Sequence, residues 1–154
     1  MKTVMKEYPV ENQVCSLEQA KKLSELLGDD TPESLWVYCW RVDVGGGKDK
    51  LSLILRIDYD DDSFYRPPIY PAYTGDELGA LLPGNIYDLA GFLSITKSDH
   101  NPGFPIKHHA AYTRDDDCYM AFYQKSAETE AQAKADLAIH LLKRKIIQPE
   151  EFKY

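Results

Sequence analysis

One run of residues, Leu35–Val42, constrains the fold of this 154-residue chain more than any other segment. The run is rich in β-branched and aromatic residues, which favour strands. One face of such a strand would carry Leu35, Val37 and Cys39, and the other Trp36, Tyr38, Trp40 and Val42. Because both faces are apolar, both must be covered, and the run predicts a central strand.

The residues that follow predict a hairpin and then an irregular segment. Three consecutive glycines within Asp43–Lys50 are typical of a hairpin loop, and Leu51–Tyr59 is predicted to be the return strand. The next segment, Asp60–Tyr73, contains three prolines, namely Pro67, Pro68 and Pro71. Proline lacks the N–H that a strand ladder uses, so we expect no regular strand here.

Two capping boxes predict helix starts. Ser16 and Gln19 have the required spacing, and apolar residues recur at helical intervals from there to Leu27. Thr74 and Glu77 form the second box and begin a short central helix that a Pro-Gly pair ends.

The last third of the chain predicts strands and then the longest helix. That helix begins at Ser126 or Thr129, since either is a suitable N-cap, and its pattern ends at Pro149. The segments that look extended are Ile86–Lys97, Ile106–Thr113 and Cys118–Gln124. The whole order predicts a single α+β domain over residues 1–154, with an antiparallel sheet of about five strands packed against three helices.

The charge and the apolar pattern exclude several classes of protein. The net charge is −7, from 18 basic and 25 acidic residues, which argues against a nucleic-acid partner. No apolar run reaches the ~18 residues of a membrane span, and the N-terminal residues show no secretory signal. Three widely spaced cysteines do not predict a disulfide framework. We therefore expect a cytoplasmic protein, and no cofactor motif is present.

A triplet of alternate carboxylates is the candidate metal site. Asp58, Asp60 and Asp62 are spaced as hard cations such as Ca²⁺ require on a loop. The EF-hand pattern is not continued, because Ser63 and Ile69 stand where it needs Gly and Glu. The competing interpretation is a solvated acidic turn.

Six aromatic side chains are the candidate binding surface. They are the three on one face of the first strand and three in the following segment: Trp36, Tyr38, Trp40, Tyr65, Tyr70 and Tyr73. Trp and Tyr are enriched at interface hot spots, and they also fill protein cores. Both interpretations remain open at this stage.

Three helix segments together carry a family resemblance. They are Cys15–Leu23, Tyr73–Pro83, and Glu128–Ala135 with Ile146 and Ile147. In this order they resemble a group of small uncharacterised proteins encoded in prophages and mobile elements of gut anaerobic bacteria. The resemblance implies a shared fold and a mobile-element origin, and it assigns no site residue.

No catalytic motif accompanies these features. Cys15 lies beside a helix start, where a thiol pKa can fall, but no base is identified for it. We expect a non-catalytic accessory protein that binds an unidentified protein. The first alternative is a metal-dependent hydrolase or nuclease that uses Asp58, Asp60 and Asp62. The second is an acidic mimic of nucleic acid, and the oligomeric state is open.

Overall fold

The computed structural model describes residues 10–61, 64–86, 91–97, 108–114 and 117–154. In this part of the chain the architecture is α+β, as predicted, and the strands form two antiparallel sheets. The elements in chain order are α1 (Leu17–Leu27), β1 (Trp36–Arg41), β2 (Lys50–Leu55), α2 (Arg56–Asp61), β3 (Tyr65–Ala72), α3 (Gly75–Leu81), β4 (Asn85–Ile86), β5 (Gly91–Lys97), β6 (His108–Arg114), β7 (Asp117–Ala127) and α4 (Glu130–Lys143).

The first sheet has three strands in the order β2-β1-β3. The central position that we predicted for the first strand is confirmed. Tyr38 lies opposite Leu53 on one side and Tyr70 on the other, so its face of the sheet joins all three strands. The register with β3 shifts between Tyr38 and Trp40.

Two predictions for residues 51–73 were wrong. The return strand ends at Leu55, and the chain turns into α2. The proline-rich segment contains β3, which lies at the sheet edge. An edge strand bonds on one side only, so a proline whose nitrogen faces outward loses no ladder bond. Pro71 fits this rule, because it lies opposite Val37, whose backbone groups turn towards β2.

The second sheet has four strands in the order β4-β5-β6-β7. The three segments predicted to be extended supply these strands, although residues 87–90 and 106–107 lie outside the described ranges. Our prediction placed all strands in one sheet. Sheet membership depends on pairing between distant segments, which local residue patterns do not specify.

The helices begin where the caps predict. Both capping boxes are formed, and Thr129 rather than Ser126 is the N-cap of α4. Helix α1 packs against β3 and α4, and α4 also packs against β6 and β7, so one buried cluster includes residues of both sheets. No helix in the described ranges is long and apolar enough to cross a membrane.

Candidate binding site

Two of the six predicted aromatic residues belong to the core. Tyr73 is fully buried and Tyr38 is 9% exposed. Their hydroxyls donate to the carbonyl oxygens of Pro32 at 2.5 Å and Cys15 at 2.7 Å. Burial raises the pKa of Tyr38 to about 12, so its hydroxyl stays a donor at neutral pH. These two tyrosines stabilise the fold and offer nothing to a partner.

The other four aromatic residues are partly exposed and lie at two places. Trp36 and Tyr70 pack against the core, and Lys21 of α1 holds its Nζ 5.7 Å from the centre of the Tyr70 ring. Trp40 and Tyr65 lie further along the sheet, beside the β1–β2 turn. The six side chains therefore do not form one surface, and a binding role stays a prediction for the second pair.

The predicted metal ligands do not converge in the described part of the chain. Asp58 and Asp60 are exposed residues of α2. Side chains two residues apart on a helix point in different directions, so these carboxylates do not face one cation. Asp62 lies outside the described ranges, and within them no group of three His, Cys, Asp or Glu side chains could hold a metal ion.

Several basic side chains lie together at one end of the three-stranded sheet. We call this region, residues 40–50 with residues 64–68, the hairpin end. In the register of the sheet Arg41 lies directly opposite Lys50 on β2 and Tyr65 on β3. The three residues form one cross-strand row, in which two positive charges are neighbours.

The acidic residues of the hairpin end do not neutralise this row. The Asp43 carboxylate accepts a hydrogen bond from the Gly45 N–H at 2.9 Å, inside the turn. Asp49 forms an ion pair with Arg66. Of the basic residues, Arg41, Lys48 and Lys50 form no ion pair with any described residue.

The glycine turn is shaped around the Asp43 carboxylate. A Cβ on Gly47 would collide with this carboxylate, and Gly46 has a φ of +85°, which side chains rarely adopt. The turn therefore engages one oxygen of the exposed Asp43 carboxylate with its own backbone, and Arg41 and Lys50 are exposed beside it.

Two cavities flank the hairpin end, one on each face of the sheet. The first has a volume of about 430 Å³, and its lining includes Arg41, Lys50 and Phe64. The second has a volume of about 570 Å³, and Trp40, Lys48 and Arg66 are among its lining residues. Each cavity thus pairs two basic side chains with an aromatic ring. Such a site suits a ligand that has both negative charge and apolar surface.

Sequence reasoning identified Trp40 and Tyr65 but missed Phe64 and the basic residues of this site. Arg41 and Lys50 are equidistant from the middle of the glycine turn, between Gly45 and Gly46. In a hairpin that symmetry makes two residues cross-strand partners. The symmetric spacing of Arg41 and Lys50 about the turn is visible in the sequence, but it indicates a pair only once the register of the hairpin is known.

The cysteine beside α1 is not a nucleophile. Cys15 is fully buried, and burial raises the pKa of its thiol to about 12. Its N–H donates to the Tyr73 carbonyl oxygen at 2.9 Å, which fixes the start of α1 against the core.

Comparisons with models of known protein families, with curated proteins and with solved structures found no match.

Proposed function

We propose that this chain is a non-catalytic accessory protein of a phage or other mobile element, which acts in the cytoplasm by binding another protein. The observation that carries the binding proposal is the cross-strand pair of Arg41 and Lys50 at the hairpin end. The mobile-element origin rests on the resemblance of the three helix segments.

The charge pair favours an anionic ligand. Like charges directly opposite each other on paired strands destabilise a sheet by roughly 0.2–1 kcal/mol. A carboxylate placed between Arg41 and Lys50 replaces that repulsion with two ion pairs, each of which contributes up to about 1 kcal/mol because both side chains are exposed to solvent. The site is therefore more stable when an acidic group occupies it.

The aromatic residues favour a protein segment over a small anion. Phe64 is 47% exposed beside the charge pair, and Trp40 is partly exposed on the opposite face of the sheet. Arg, Trp and Tyr are the residues most enriched at interface hot spots. An acidic segment with an apolar anchor fits this combination.

The surrounding charge sets how such a partner approaches. A net charge of −7 repels a uniformly anionic molecule such as nucleic acid. A protein whose acidic residues are confined to one segment is attracted by the hairpin end alone. Charge complementarity of this kind orients the partner and speeds association.

Peptide binding tests the proposal. The probe is a fluorescein-labelled peptide of Glu and Phe residues, titrated with the full-length protein at low salt, with anisotropy as the readout. We expect saturable binding that added salt weakens. The double variant Arg41→Ser/Lys50→Ser is expected to bind at least about tenfold more weakly, which is roughly 1.4 kcal/mol.

The matched control is Lys143→Ser/Arg144→Ser, which removes one Lys and one Arg from exposed positions at the end of α4. It makes the same change in net charge away from the hairpin end. If both double variants bind equally, or if the peptide does not bind the wild-type protein, the proposed site is wrong.

A further inference from the structure

The two edges of the three-stranded sheet differ. The β3 edge contains Pro67, Pro68 and Pro71, and proline cannot donate to another strand. The β2 edge, Lys50–Leu55, contains no proline. Within the described ranges β2 pairs with β1 alone, so its other side is open.

The register shows which backbone groups line the open side. The N–H of Arg56 donates to the carbonyl oxygen of Leu35, which makes that opposed pair a hydrogen-bonded one. Hydrogen-bonded pairs alternate along an antiparallel ladder, so Ser52 and Ile54 bond to β1. The backbone N–H and carbonyl groups of Leu51 and Leu53 therefore point away from β1, as a further strand requires.

The charges along β2 are arranged with opposite signs at its two ends. Exposed Lys48 and Lys50 stand at its start, and α2, which follows its last residue, exposes Asp58 and Asp61. Antiparallel pairing of two copies brings the start of one β2 beside the end of the other. Each basic end then meets an acidic helix, and parallel pairing would instead oppose like charges.

Exposed apolar side chains lie along the same edge. Leu51 is 40% exposed and Ile57, in α2, is 65% exposed. Their burial adds a hydrophobic contribution of about 25 cal/mol for each Å² removed from water.

We propose that the occupant of this edge is a second copy of the chain, paired antiparallel through β2, so that two three-stranded sheets become one continuous six-stranded sheet. The surface is self-complementary, as a two-fold interface must be. The two proposals share Lys50 but not Arg41, which lies on the central strand away from the open edge, so a change at Arg41 distinguishes them.

Sedimentation equilibrium of the full-length protein over a range of concentrations tests the dimer. We expect a mass that approaches twice 17.6 kDa and an association that weakens as salt is added. The variant Leu51→Pro removes an outward N–H without taking a bond from β1, and it is expected to sediment as a monomer. A wild-type protein that remains a monomer at tens of micromolar contradicts the proposal.

Reversing the charges at one end of β2 or the other distinguishes this interface from other modes of dimerisation. Lys48→Asp/Lys50→Asp gives one chain acidic ends only, and Asp58→Lys/Asp61→Lys gives another chain basic ends only. All four side chains are exposed, so both variants are expected to fold, which circular dichroism checks. Each variant alone is expected to be a monomer, and their mixture a heterodimer.

The outcomes are distinct for the two proposals. If either charge variant still dimerises alone, or if the mixture does not associate, the β2 interface is wrong. The variant Arg41→Ser is expected to keep the dimer, whatever its effect on peptide binding.

Discussion

Gln19 links helix α1 to helix α4 through hydrogen bonds of its side chain. A substitution that replaces only its amide nitrogen tests how much these bonds stabilise the protein. Its Oε1 accepts a hydrogen bond from the Ser16 N–H at 3.0 Å, which completes the capping box. Its Nε2 donates to the Gln132 carbonyl oxygen at 3.0 Å and to Asp136 Oδ1 at 2.7 Å, both in α4. Gln19→Glu keeps the acceptor and the size of the side chain but removes the donor.

The expected cost follows from the two lost bonds. The bond to the Asp136 carboxylate contributes about 1.5–3 kcal/mol and the bond to a neutral carbonyl about 0.5–1.5 kcal/mol. Because the site is only partly buried, solvent screens the new repulsion between carboxylates. We expect Gln19→Glu to lower the free energy of unfolding by about 2–4 kcal/mol at pH 7, measured by urea denaturation.

The loss is expected to depend on pH. The introduced carboxyl regains a donor when it is protonated, and repulsion from Asp136 raises its pKa in the folded state above the unfolded value of about 4.3. A raised folded-state pKa stabilises the protein at low pH and ceases to do so as the pH rises. The deficit relative to wild type should therefore shrink as the pH falls through the raised folded-state pKa, and it should be smallest below about pH 4.

Two further variants decide the interpretation. In Gln19→Glu/Asp136→Asn the amide at position 136 can donate to the new carboxylate, so much of the lost stability should return. Gln148→Glu makes the same chemical change at an exposed residue, where we expect an effect within about 0.5 kcal/mol. If Gln19→Glu costs no more than this control, or if the Asp136→Asn change rescues nothing, the bridge between α1 and α4 does not stabilise the protein.

Two other predictions concern the thiol beside α1 and the glycine turn. Burial raises the pKa of Cys15 to about 12, so we expect iodoacetamide at pH 8 to label this residue only when urea unfolds the protein. Peptide mass spectrometry measures the labelling. If the native protein is labelled at the same rate as the unfolded protein, Cys15 is not buried. The raised pKa also means that the Cys15 contribution to stability is lost as the pH rises above about 8.5. Gly47→Ala places a methyl group against the Asp43 carboxylate, which must turn away and lose its hydrogen bond from the Gly45 N–H, so we expect it to lower the free energy of unfolding by about 0.5–1.5 kcal/mol in urea denaturation. Gly84→Ala, which meets nothing within 4 Å, is the control, and equal effects of the two changes would mean that the turn has room for a side chain.

Local patterns predicted the helices well. A capping box satisfies its bonds within four residues, so Ser16 with Gln19 and Thr74 with Glu77 identify helix starts without knowledge of the rest of the fold. The central position of β1 could also be predicted from local sequence, because a strand that is apolar on both faces is typical of the interior of a sheet and not of its edge.

Features that depend on distant segments could not be predicted in the same way. Whether Pro71 excludes a strand depends on which side of it is paired, and that follows only from the register with β1. Arg41 and Lys50 become neighbours only through the register of β1 with β2. The sequence left open whether Tyr73 lies at the surface or in the core, and the structure buries it through contacts such as that with Phe152, whose ring centre lies 6.1 Å away.

The position of α1 between β3 and α4 has a consequence for folding during synthesis. The first strand that packs against α1 is β3, which begins at Tyr65, and α4 follows only at Glu130. A chain that leaves the ribosome from its N-terminus can pack α1 on the three-stranded sheet early. The side of α1 that carries Gln19 stays uncovered until α4 has been made. The cooperative unit therefore closes only after α4 has been made, and nascent chains that pause earlier expose the apolar surface that α4 covers.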